Sequence, residues 1–188
     1  MNNQEGEPLA AASVTIPSTE SISQLFVEHY RRVLLAANRI TGSMADAEDI
    51  AQGVFLRLAS AERPIDNVGS YLYRAAINGA LDLLRRRKTT PTEPLDQGAH
   101  IASASPGSSP ESEFSSRQLG DALRIAISEL APRAAEMFAL RYLEEVGNRE
   151  IAALMGTSNA VVAVTLHNAR ARLKKRLTEM DGKINETR

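Results

Sequence analysis

Three carboxylates and an amide near the start of one predicted helix are the first groups whose spacing suggests chemistry. Asp46, Glu48 and Asp49 lie together, and Gln52 follows. Asp46, Asp49 and Gln52 succeed one another at helical intervals, so a helix places all three on one face. Paired carboxylates can serve acid–base catalysis or hold a metal. Here no third ligand, His or nucleophile accompanies them. There is no Cys, and the three His residues (His29, His100, His167) have no metal-ligand spacing. The expectation is therefore a protein that is not an enzyme, with no cofactor and no metal site. The acidic face is a solvated surface or a docking surface for a basic partner.

The basic groups are patterned rather than merely numerous. Lys and Arg total 22 against 23 Asp and Glu, a net charge of −1 that by itself argues against a nucleic-acid binder. Yet they gather at Arg85-Arg86-Arg87-Lys88 and again from Arg170 to Arg176. Residues 89–116 contain no Lys or Arg and carry Glu93, Asp96, Glu111 and Glu113. Upstream of the first cluster, Arg74, Asn78, Asp82 and Arg85 recur at helical spacing beside Tyr71. That ring either stacks on an unpaired base or belongs to a core. The second cluster either holds phosphates or complements a helix dipole.

A third constellation is structural. In residues 148–170, Ala152, Gly156 and Val162 occupy the three constrained positions of a helix-turn-helix. The small residue lets two helices approach, the glycine allows a left-handed turn, and the branched residue packs back on the first helix. A plain pair of antiparallel helices satisfies the same constraints. The outward positions of the second helix include Ala160, Val161, Ala163, Val164, Thr165, His167 and Asn168. Few of these can read bases bidentately. Apolar contact with thymine methyls and hydrogen bonds from Asn159 and Thr165 remain open.

The elements that position these groups are all helical. Ile22, Leu25, Phe26, Tyr30, Val33, Leu34 and Ala37 follow the helical period until Gly42. A second helix after Ser43 carries Ala47, Ile50, Ala51, Val54, Phe55 and Leu58. A third begins near Asn67 and runs through Leu72, Ala75, Ala76, Leu81 and Leu84 into the basic run. The period returns with Leu119, Leu123, Ile127 and Leu130, and Pro132 suits the first turn of the next helix. Gly147 ends that helix, Asn148 caps a short one, and Ser158 caps the last. The expected fold is all-α: two small helical domains joined by a flexible linker, the second containing the helix-turn-helix. The boundaries read as a disordered tail over 1–20, a first domain over 21–88, an acidic Pro- and Ser-rich linker over 89–116, and a second domain over 117–180. No apolar run approaches a membrane span and the first residues lack a signal-peptide pattern, so a cytoplasmic protein without membrane insertion is expected.

The arrangement resembles the extracytoplasmic-function sigma factors over nearly all of residues 22–177 except the linker. DAEDIAQGVFLRL (Asp46–Leu58) is similar to that family's segment that grips the polymerase clamp helices. NVGSYLYRAAINGALDLLRRRK (Asn67–Lys88) resembles the part that melts and reads the −10 element. The stretch from Ala122 to Leu177 resembles the domain that reads the −35 element. Gly53 stands where the family usually has Glu, and Tyr71 where Trp is frequent. Ala163, Val164, Thr165 and Asn168 replace the common Lys, Ser, Arg and Arg.

The resemblance implies a factor that binds core RNA polymerase and promoter DNA and directs promoter recognition, melting and initiation. It assigns polymerase binding to Asp46, Asp49 and Gln52. The −10 contacts fall to Asn67, Tyr71, Arg74, Asn78, Arg85, Arg86, Arg87 and Lys88. The −35 contacts fall to Ser158, Asn159, Val161, Thr165, His167, Arg170 and Lys174. Members are often held by an anti-sigma factor, though no residue here identifies one. The alternative is a stand-alone helix-turn-helix regulator that binds duplex DNA without polymerase.

Overall fold

The computed structural model describes residues 19–61, 65, 67–89 and 110–186. Among these it contains seven helices and no strand. They are α1 (Thr19–Thr41), α2 (Met44–Ala59), α3 (Val68–Thr89), α4 (Pro110–Ser128), α5 (Pro132–Tyr142), α6 (Asn148–Leu154) and α7 (Asn159–Glu186).

The first three form a bundle. Gly42 ends α1 with a positive φ of 71°, and its N–H donates to Asn38 O at 2.8 Å. Ser43 then caps α2, its hydroxyl accepting from Asp46 N, with the Asp46 carboxylate favourably placed in the first turn. Asn67 caps α3, its Oδ1 accepting from Ser70 N at 2.9 Å. Ala36, Ala37, Ala47, Ala51, Ala76 and Ala80 are fully buried, which lets the three helix backbones approach closely. Val33, Ile40, Val54, Leu58, Leu72, Ile77 and Leu81 fill the remaining space. Each such side chain contributes roughly 1.5–3 kcal/mol on leaving water. Three of its aromatics cluster, with Phe26 stacked on Tyr30 at 4.5 Å and tilted against Phe55 at 4.9 Å.

The second half folds α4, α5, α6 and α7 around Met137, Phe138, Leu140, Ile151, Val162, Leu166 and Leu173. Pro132 begins α5 as expected. The end of α5 differs from the expectation. The helix closes at Tyr142, and the turn behind it contains Glu145 at φ 57°. Gly147 is the N-cap of α6, and Asn148 is the first residue of that helix rather than its cap.

The linker boundaries also shift. Thr89 is the last residue of α3, and α4 begins at Pro110, inside the stretch expected to be linker. Proline suits a helix's first position because its missing N–H has no helical partner there. Residues 90–109, where the rest of that linker falls, lie outside the described residues, as does the tail up to residue 18.

The two halves meet along α3. One face of this helix (Leu72, Ala76) packs on α1 and α2. Another (Tyr73, Ile77, Ala80, Leu81, Leu84) shares a single buried cluster with Ala126, Ile127, Leu130, Phe138 and Val162 of the second half. The two domains therefore share buried apolar surface in this conformation.

Candidate nucleic-acid interface

The acidic patch sits on α2. Asp49 and Gln52 are exposed, and Asp46 is half-buried because Arg87 of α3 reaches it at 2.6 Å. Beside them Gly53 of α2 and Gly79 of α3 leave a groove lined also by Ile50, Arg57, Leu83 and Arg86. Packing at Gly79 is tight, since a Cβ there would stand 3.2 Å from Ile50 Cγ2. Among the described residues, no group of three or more His, Cys, Asp or Glu side chains comes together as a metal site.

Along α3, Tyr71, Arg74 and Asn78 fall in order on one face, with Asn67 exposed at the helix entrance. Tyr71 is half-buried and packs against the core of the first bundle while leaving part of its ring accessible. The core reading of that ring thus holds in part. Arg74 is not free. Its Nε donates to Glu136 Oε1 at 2.7 Å and its Nη1 donates to Leu154 O at 2.7 Å, both in the second half. The basic cluster is likewise engaged. Arg85 pairs with Asp82 at 2.6 Å, Arg87 with Asp46, and Lys88 with Glu129 of the second half at 3.0 Å. Among the described residues Arg86 makes no ion pair and is exposed.

The second half contains the helix-turn-helix geometry. α6 ends at Leu154, Gly156 turns the chain with φ 58°, and Ser158 Oγ accepts from Val161 N at 3.2 Å at the start of α7. Ala152 is buried where the helices cross, and Val162 is fully buried against the first. On the opposite side Ser158, Asn159, Val161, His167, Arg170 and Lys174 are exposed and Thr165 is half-exposed. All the expected −35 residues thus lie at or beside the accessible face of α7, preceded by the turn that presents it.

Residues 25–90 match the family Sigma-70 region 2, and residues 120–173 match Sigma-70, region 4. The chain is 32% identical over 154 residues to the RNA polymerase sigma-E factor of Streptomyces avermitilis, covering 79% of this chain and 80% of that protein. The chain belongs to the extracytoplasmic-function RNA polymerase sigma factors. It is also 29% identical over 164 residues to the ECF RNA polymerase sigma factor SigE of Mycolicibacterium smegmatis, covering 85% of this chain and 62% of that protein. Among solved structures it is similar to the extracytoplasmic function sigma factor SigJ of Mycobacterium tuberculosis, at 22% identity and a TM-score of 0.45, over 80% of this chain and 52% of that one. As a sigma factor it serves transcription initiation. A regulator with only the helix-turn-helix is not favoured, because the region 2 match precedes the region 4 match in the same chain.

Sequence reasoning missed the acids that tie the halves together. Glu144 accepts from Tyr73 Oη at 2.8 Å and from Arg39 at 2.6 Å. Burial, together with the Glu144 carboxylate, pushes the Tyr73 phenol well above its ordinary range, and Arg32 over the ring at 4.3 Å only partly offsets this. Glu129 sits between Lys88 and Arg176. Burial alone would raise its pKa, but hydrogen bonds from both cations hold it below the usual carboxylate range. One signal was available for Glu136. It stands inside six consecutive buried residues of α5, Ala135 to Leu140, where an acid requires a partner. Among the described residues no helix is long and apolar enough to cross a membrane.

Proposed function

We propose that this sigma factor docks on core RNA polymerase through Asp46, Asp49 and Gln52 of α2, and holds the opened −10 strand along α3. Asn67, Tyr71, Arg74 and Asn78 would meet the unstacked bases. Arg85, Arg86, Arg87 and Lys88 would meet the backbone phosphates. The −35 duplex would lie against α7, read by Ser158, Asn159, Val161, Thr165 and His167 and held by Arg170 and Lys174. The two domains would be the functional units, with the segment between them spanning the polymerase surface. The reaction belongs to polymerase, and this chain supplies recognition and strand capture in the cytoplasm.

The observation that carries this reading is the order of surfaces: an exposed acidic face, a polar and aromatic strip ending in four bases, and a presented helix-turn-helix. The test is reconstitution with core polymerase on a promoter library. Sequence-selective run-off transcription is expected. Polymerase binding without any selected promoter would defeat the reading. A pull-down from the native cell, scored for polymerase subunits and for a membrane-anchored inhibitor, tests whether an anti-sigma factor is a further partner.

A further inference from the structure

We propose that Val161 and Val164 of α7 read thymine methyl groups in the −35 duplex, so that this chain prefers thymine where they touch the groove. The inference rests on the assignment of α7 to the −35 duplex. α7 buries Val162, Leu166, Ala169 and Leu173, and turns Ala160, Val161, Ala163 and Val164 outward. Val161 is 47% exposed and Val164 62% exposed. They stand three residues apart, adjacent on one face, so two branched apolar side chains meet water together.

The charge around them indicates their partner. From Asn159 to Thr178 α7 contains no acid, while Arg170, Arg172, Lys174 and Lys175 are exposed along the same helix. An apolar strip leading into cations fits a groove floor flanked by phosphates. The small side chains of Ala160 and Ala163 let the helix axis approach. In the major groove thymine is the base that presents a methyl group, at C5, and side chains of this kind contact it without hydrogen bonds.

The test uses the full chain with core polymerase. A −35 sequence is first selected from a randomised duplex library, and each selected thymine is then replaced by deoxyuridine, which removes only the methyl. About fourfold weaker binding is expected at each contacted position, the transfer value of one buried methyl. Val161→Ser and Val164→Ser should each abolish the thymine–uracil difference at one position while circular dichroism stays unchanged. Selection of a −35 sequence that is indifferent to every methyl overturns the inference and leaves the reading of α7 intact. Failure to select any −35 sequence, with Arg170→Ala and Lys174→Ala leaving the salt dependence unchanged, overturns both. Valine variants that change polymerase affinity but not DNA preference also overturn it, because they assign the strip to a protein.

Discussion

Arg74 of the first domain and Glu136 of the second meet at 2.7 Å, and Glu136 is almost wholly buried. The two partners are not equivalent. Removing Arg74 strands a carboxylate among apolar side chains, whereas Glu136→Gln leaves a neutral oxygen that still accepts the guanidinium proton. Arg74→Ala is therefore expected to cost about 2 kcal/mol in urea denaturation and Glu136→Gln less than about 1 kcal/mol. Equal losses would show that the site does not distinguish charge from hydrogen bonding.

The same boundary should respond to acid. Lys88 and Arg176 hold Glu129 below the ordinary carboxylate value of 4.5 against the opposing effect of burial. A depressed pKa means that the unfolded chain binds the proton first. The Glu129 contribution is thus present above that ordinary value and is lost as pH falls through the folded one. Thermal melts from neutral to acidic pH should show a shallower acid limb in Glu129→Gln than in the parent.

The alkaline side has the opposite origin. Tyr73 is held protonated above its ordinary value of 10.0 by burial and by Glu144. An unfolded phenol ionises near that ordinary value while the folded one does not, so stability falls as pH rises beyond it. Tyr73→Phe should remove this alkaline loss, at the cost of the hydrogen bond to Glu144, when melts are recorded above and below that value.

Most of the helices were legible because their signals are local. Gly42 with its positive φ, the Ser43 and Ser158 hydroxyls and Gly156 each act within a few residues of their own position. The buried stripes of α2 and α7 follow the period read from the residues. The contacts of Arg74 and Lys88 were not legible. Their partners Glu136 and Glu129 lie 62 and 41 positions away, across the segment expected to be a linker. Composition also misplaced the start of α4, because Pro, Ser and Glu suit a helix's first turn as well as they suit a loop. The surface residues of α7 were found because the buried Val162 and Leu166 fix which side remains outside.

Polymerase docking should depend on Asp49 more than on Asp46. Asp46 is tied to Arg87, whereas Asp49 is exposed and makes no ion pair among the described residues. Asp49→Arg is expected to weaken association with core polymerase by about tenfold or more, since like charges would then face a basic partner. Circular dichroism should remain that of a folded helical protein. Unchanged polymerase affinity would remove this face from the docking surface.

The two DNA-facing elements should fail in different ways. Within the cluster that closes α3, Arg85, Arg87 and Lys88 each already have a carboxylate, so a phosphate competes with an internal partner. Arg86 has none among the described residues and meets a phosphate without that exchange. Arg86→Ala should therefore lower the salt dependence of open-complex formation by about one unit of log–log slope, across promoter sequences. Arg85→Ala and Arg87→Ala should lower it less, because each exchange returns a carboxylate to solution. Asn159→Ala and Thr165→Ala belong to the other class. Their short polar side chains can reach base edges but neutralise no charge, so they should change preference among −35 sequences and leave the slope nearly unaltered. Run-off transcription on a randomised −35 library at several salt concentrations separates the two classes. If Asn159→Ala and Thr165→Ala keep the parent's preference, neither residue reads a base, and −35 specificity must come from Ser158, His167, the valine strip or DNA shape.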